Sequence, residues 1–347
     1  NFLPGPLNNL TASIYHTMKK TFPAINVLPE DTLFLIASTD PGLKNSPVPL
    51  IDRMKKLELE TSYLVTPYIE YRFTNDRVDQ VRSALEMNRR VILNRDFLPR
   101  AYYYNLVYWL SSFHPHLAKG FSAVAKLRFP AVMTAFLILL LLPRFFVRSG
   151  SPKKRIIYFT AMAAGGFSLM AAEVMMIYAF QLLYGNLYYR IAWIIAAFAA
   201  GMGFGAWAGT KSAERTDGRT LAFVHLCAAG YFLLWQPGIN LMASMHYLSD
   251  LLAQCLCLIF SGLIGCLVGF EFPCVNRLYL AESEQPHPET GVIYAADLFG
   301  SCAGALLVSV FLIPIFGTQH TLLILFAVNC LVSFQLFFAK NLGGKNV

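Results

Sequence analysis

From Ile156 to Leu183 the chain carries one charged side chain, Glu173, in an otherwise apolar run. A run of about eighteen or more apolar residues with almost no charge is long enough to cross a bilayer as a helix. Composition then separates a membrane helix from a deep core helix. At 56% hydrophobic and 14% charged residues over 347 positions, the chain lies outside the range of ordinary soluble domains. It is expected to be an integral membrane protein with a soluble part, and its lipid partner is the bilayer itself.

Glu173 therefore sits at depth. On a helix, Gly165, Leu169, Glu173, Ile177 and Gln181 recur every four positions and share one stripe, so acid and amide face the same way and should face protein. An intramembrane carboxylate costs several kcal/mol on most scales and is by default a functional candidate. The alternative is a protonated or hydrogen-bonded acid that locks helix packing. Gly185-Asn186 reads as a tight turn, and the next helix, Ile191 to Gly209, places Ala197, Gly201, Gly205 and Gly209 four apart. That spacing opens a groove in which another helix can approach closely. The alternation Gly201, Gly203, Gly205 imitates a dinucleotide fingerprint, but no strand precedes it, so packing is preferred to phosphate binding.

Basic loops orient the helices. Arg144, Arg148, Lys153, Lys154 and Arg155 form the densest basic cluster, and Lys211, Arg215 and Arg219 mark a second cytoplasmic loop. Further apolar segments follow at Thr220 to Met242, Leu251 to Phe272, Gly291 to Phe316 and Thr321 to Phe338. Phe129 to Val147 is a marginal span, interrupted by Pro143 and Arg144. If it crosses, the soluble part is extracytoplasmic; if it lies in the interface, the soluble part is cytosolic. Glu271, just before Pro273, and Asp297 are expected near the cytoplasmic face. Asp297, Gly300, Ser301 and Gly304 share a helix face, which suggests a polar patch pressed on a neighbour, read either as structural or as a site. His225 and Arg190 read as anchors or caps near helix ends.

The first 128 residues read differently. Leu10 to Phe22 has helical periodicity and Pro23 ends it; Asp31 to Ser38 is a short strand; helices follow at Leu50 to about Glu60 and, capped by Thr74-Asn75-Asp76, at Arg77 to Asn88. Asn94, Asp96 and Pro99 suggest an Asx-type turn before a helix, with a substrate contact as the alternative. The tract Tyr102 to Trp109 suits a membrane interface, where tyrosine and tryptophan collect.

A formal net charge of +8 without dense basic clusters interleaved with aromatics argues against nucleic acid. All seven cysteines lie between Cys227 and Cys330 at spacings that match no zinc or redox motif, so no metal site is expected. No catalytic triad, phosphate loop or haem motif names a reaction.

The order Asn9, Ser13-Ile14-Tyr15, Phe22-Pro23, Leu28-Pro29, LFLIAS and LNRDFLPRAYYY resembles the C-terminal part of the spermidine-synthase-like domain in multi-pass membrane proteins of the polyamine aminopropyltransferase family. In the membrane half, Glu173, Gly185, GMGFGAWAG, the ER-x-x-GR loop, Gly291-x-x-Tyr294-x-x-Asp297-x-x-Gly300, Pro314 and Gly317 agree with it. The resemblance implies a mainly α protein: a partial α/β, Rossmann-like methyltransferase-type remnant with a helical extension over residues 1–128, a bundle of six or seven helices over 129–340 resembling a major-facilitator half, and a tail over 341–347. It implies a bacterial inner membrane. The glycine-rich turn, ribose acid and catalytic aspartate of a synthase do not occur ahead of the remnant, so no catalytic or cofactor-binding residue is carried over. An S-adenosylmethionine-type nucleoside is expected only with an upstream transferase segment or a partner chain. The expected function is a membrane-anchored spermidine-synthase-like protein that does not transfer aminopropyl groups alone. The alternatives are a transporter-like bundle for a cation or small metabolite using Glu173, and a structural subunit whose glycine faces dock a partner membrane protein.

Overall fold

The computed structural model describes residues 5–43, 45–59, 61–145, 151–185, 188–246, 250–282 and 286–339. The chain forms two compact units, Asn1–Lys126 and Leu127–Val347.

The first unit is a small α/β assembly. Helix α1 (Gly5–Thr21) leads into an antiparallel hairpin of β1 (Ala24–Pro29) and β2 (Leu33–Ser38), with Ala24 opposite Ser38 and Pro29 opposite Leu33. The sequence reading held one strand here. Ala24–Pro29 is the missed partner; its run AINVLP has no apolar-polar alternation and is bounded by Pro23 and closed by Pro29, so it carries little strand signal by itself. Helices α2 (Val48–Lys56), α3 (Thr66–Thr74) and α4 (Asp76–Met87) follow. The Asn75 side chain caps α4 by accepting from the Arg77 amide at 3.0 Å. Ala12 and Tyr15 of α1, Val27 of β1, and Val81 and Leu85 of α4 form the core. The unit ends in α5 (Arg100–Phe113) and α6 (Pro115–Val124).

The second unit is helical throughout its described residues. It contains α7 (Phe129–Phe145), α8 (Ser151–Tyr184), α9 (Tyr188–Ser212), α10 (Gly218–His246), α11 (Asp250–Ala281), α12 (Pro286–Leu307), a π-helical turn (Val308–Leu312) and α13 (Ile313–Ala339). Five helical stretches are long and apolar enough to cross a membrane, or up to six if α6 and α7 form one broken span. The last of the five, Gly291–Phe338, covers 48 residues. At 1.5 Å per residue that is about twice the hydrocarbon thickness. It is divided at Gly317, whose φ of 82° and ψ of 170° leave the helical region at a conformation that glycine alone adopts freely. Helix α7 continues past Pro143 and Arg144 to Phe145, and Val147 lies outside the described residues, as do Asn186 and the tail 341–347. Phe129 of α7 meets the His320 ring of α13 edge-on, and Phe136 packs on Phe167 of α8.

Burial ranks the helices. In their most apolar windows, 61% of α8 is buried and only 17% of α9, so α8 is the axis of the unit and α9 lies on its outside. Three helix pairs account for most of the packing. Helices α9 and α11 run parallel: a side chain at Gly201, Gly205 or Gly209 would strike the backbone of Gly262, Cys266 or Phe270 in turn. The contact is reciprocal, because Gly265 and Gly269 meet the Phe198 and Met202 carbonyls. Gly203, two positions from Gly201 and Gly205, has open space around it. Helices α8 and α12 form a second parallel pair, with Gly300 on Ala163 and Gly304 on Phe167. Helices α10 and α13 are antiparallel, since Ala222 accepts from Ser333 and Gly218 abuts Leu336.

One sequence expectation is corrected here. Glu271 does not end its helix: α11 runs through Pro273 to Ala281, and α12 already begins at Pro286. Proline removes one helix hydrogen bond, which packed neighbours make tolerable in an apolar bundle; here the Pro273 ring is seated at Gly209. Glu271 and Asp297 lie about 15 Å of helix axis from the nearest ends of α11 and α12.

Candidate functional site

The polar residues of the second unit converge where α8, α10, α11, α12 and α13 meet. His225 on α10 is 1% exposed, and its two ring nitrogens are both engaged. Nε2 lies 3.1 Å from Glu271 Oε1 on α11, and Nδ1 lies 2.9 Å from Asn329 Oδ1 on α13. The Asn329 amide donates at 2.8 Å to Ser168 Oγ on α8 and at 2.8 Å to the Leu325 carbonyl. Ser168, His225, Glu271 and Asn329 are all buried, so one chain of hydrogen bonds joins four helices in an apolar interior. Asn329 Oδ1 can only accept, so His225 Nδ1 is the donor to it, and Nε2 lies within hydrogen-bond reach of the Glu271 carboxyl group.

Paired glycines make room for this chain. The Cβ position of Gly165 falls on the Glu271 carboxylate, and that of Gly166 falls on Asp297 and Ser301 of α12. Since the two glycines are adjacent, both acids press on the same turn of α8 from different sides. Asp297 Oδ1 is enclosed with no hydrogen-bond partner among the described residues. The site is thus two carboxyl groups on either side of a bare backbone turn, one of them tied to histidine. Below it, Lys154 pairs with Glu282 at 2.9 Å and Arg155 donates to the Tyr279 hydroxyl at 3.0 Å, fastening the start of α8 to the end of α11.

The sequence candidates fall unevenly around this centre. Glu173 is buried on α8, two turns beyond Gly165, yet the polar chain passes through Glu271. The Gly165 notch, expected to open the face that carries Glu173, receives the Glu271 carboxylate from α11 instead. Gln181 is half-buried, a further two turns along. Asp297, Gly300, Ser301 and Gly304 of α12 pack against α8, and Gly201, Gly205 and Gly209 of α9 pack against α11. His225, expected near a helix end as an anchor or cap, lies two turns into α10 and is at the centre of the network, between Glu271 of α11 and Asn329 of α13. Arg190 does lie at a helix start, over the Tyr184 and Tyr189 rings. Asn329 and Ser168 were missed. The available signal was polarity out of place, because Asn329 and His225 both interrupt apolar segments.

In the first unit, Asn94 Oδ1 accepts from the Ala101 amide at 3.0 Å at the start of α5, and the Asn94 backbone N–H donates to Thr17 Oγ1 at 2.9 Å. Its side-chain oxygen is therefore spent on the start of α5, while its backbone holds the turn against α1. Asp96 is exposed at the tip of the turn closed by Arg95 and Leu98. Among the described residues no three of histidine, cysteine, aspartate or glutamate come together as a metal site.

No family model, curated protein or solved structure matches this chain.

Proposed function

We propose that the membrane unit is a transporter-like bundle that exchanges a proton or small cation at the Glu271–His225 pair, with Asp297 as the second acid of the site. The observation that carries this reading is a histidine and a carboxylate at hydrogen-bond distance, each almost fully buried where helices meet. Such a pair is a poor device for stability alone, because desolvating both charges offsets much of their attraction. Intramembrane ionisable residues facing a bundle interior mark ion or proton pathways, and transporter sites lie near the midplane between packed helices. The glycine-to-backbone seams flanking the site give helices smooth faces that can slide or rock. Spermidine, the cation suggested by the family resemblance, is the probe. Vesicles holding the purified protein should accumulate labelled spermidine in counterflow, and Glu271→Gln or Asp297→Asn should abolish accumulation. Equal accumulation in both variants and the parent would refute the assignment.

A second reading, a membrane-anchored spermidine-synthase-like protein of a bacterial inner membrane, is favoured by the helix–hairpin–helix core of the first unit, which suits the edge of a larger α/β, Rossmann-like domain. It requires a nucleoside-binding segment from upstream or from a partner. Retention of S-adenosylmethionine by the assembled complex, and not by this chain, is its test.

A further inference from the structure

Helices α5 and α6 carry an apolar face with nothing laid over it within their own unit. Tyr102, Trp109 and Phe113 are 55%, 53% and 66% exposed and, at steps of seven and four, follow one side of α5. The Trp109 and Phe113 rings stack at 5.6 Å with 4° between their planes, so the stripe is ordered before anything covers it. Leu117 on α6 is also exposed. The opposite side of α5 is committed inward: Tyr103 donates its hydroxyl to the Phe121 carbonyl at 2.7 Å, and Arg100 is buried beneath the Tyr103 and Tyr104 rings.

Charge and connectivity say what covers the exposed side. Between Asp96 and Glu173 the sequence has no acidic residue and nine lysines and arginines. Of these, Lys119 on α6 and Lys126 just after it are exposed. Four residues of chain separate the end of α6 from the start of the apolar helix at Phe129. A tyrosine–tryptophan–phenylalanine stripe matches the interfacial layer of a bilayer, where an aromatic body meets hydrocarbon and its polar edge meets headgroups. Exposed lysines on and just after the next helix, in a stretch of sequence without acids, favour anionic headgroups.

We infer that α5 and α6 form an interfacial binding surface for anionic phospholipid, with Trp109 and Phe113 inserted at the acyl boundary and Lys119 and Lys126 on the phosphates. This surface is independent of the Glu271–His225 site. A photoreactive benzoylphenylalanine in place of Trp109, an exposed position, tests it in the full chain. The protein is reconstituted in mixed phosphatidylglycerol and phosphatidylcholine vesicles in which one lipid at a time is radiolabelled. Position 109 should form lipid adducts, with phosphatidylglycerol captured several-fold more than its share. Lys119→Gln combined with Lys126→Gln should bring the two lipids to parity while adduct formation persists. The absence of lipid adducts, an adduct to protein in their place, or parity already in the parent protein would each overturn the inference.

Discussion

A methyl group on Gly165 would overlap the carboxyl group of Glu271, which reaches it from a helix more than a hundred residues later in the chain. The notch on α8 and the acid on α11 are therefore one structural feature, and substitution at Gly165 tests it without touching a charge. Gly165→Ala should displace Glu271 from His225 and cost about 1–3 kcal/mol, the usual range for overpacking a tight site. Gly203→Ala, in open space on α9, should be neutral or stabilise by up to about 1 kcal/mol through helix propensity. Thermal unfolding of the two variants in the same detergent distinguishes these outcomes, and a Gly165→Ala curve that overlays the parent would show that the notch is not tight.

The parallel pair α9 and α11 depends on backbone contact at three successive turns. Gly205→Leu should force the Cys266 segment away and lower the unfolding temperature well beyond any effect of Gly203→Leu. The comparison controls for added apolar bulk, since both glycines are on the same helix two residues apart.

Asn329 is satisfied on both sides, its Oδ1 accepting from His225 Nδ1 and its amide nitrogen donating to Ser168 and Leu325. Asn329→Ala strands the His225 Nδ1 atom in the interior, a loss expected at about 1–3 kcal/mol for a buried polar group left without a partner. Asn329→Asp keeps the acceptor and should retain more stability than alanine. Unfolding in a denaturant series, read by helical circular dichroism, gives the order.

How much of this was legible in the chain depends on the length scale of each signal. The membrane class and helix positions follow from runs of apolar residues, a local property, and α8 to α11 fall where those runs lie. The glycine ladder of α9 was legible as a face awaiting a partner, but its partner on α11 was not, because Gly262, Gly265 and Gly269 carry the complementary register only once the two helices are aligned. The hydrogen-bonded chain through His225 and Asn329 was not legible for the same reason. Glu173 is the only charge in its segment, which makes it conspicuous in sequence, while Glu271 acquires its role from His225 and Asn329 on two other helices. Helix-end reasoning placed Glu271 at the end of its helix because Pro273 reads as a stop, whereas α11 continues through it. In the first unit, the cap at Asn75 is set by adjacent residues and was readable, whereas β1 is fixed by its pairing with β2.

Outside the membrane segments, Tyr103 supplies a pH response. Burial pushes its phenol from 10.0 up to about 12, against a smaller opposing pull from the Arg100 guanidinium. The folded state thus favours the neutral phenol, so its contribution to stability is complete below pH 10 and is lost as pH rises through about 12. Tyr103→Phe removes both the hydrogen bond to Phe121 and this alkaline loss. Amide exchange across α5 and α6 at pH 9 and pH 11 should rise steeply in the parent and less in the variant.

The direct test of the Glu271–His225 pair as an exchange site is proton movement in vesicles containing the purified protein and an internal pH-sensitive dye. When an outward spermidine gradient is imposed, the parent protein should change the internal pH, Glu271→Gln should abolish the change, and Glu173→Gln should leave it largely intact. A response unaltered by Glu271→Gln, or a parent protein indistinguishable from empty vesicles, would contradict the account.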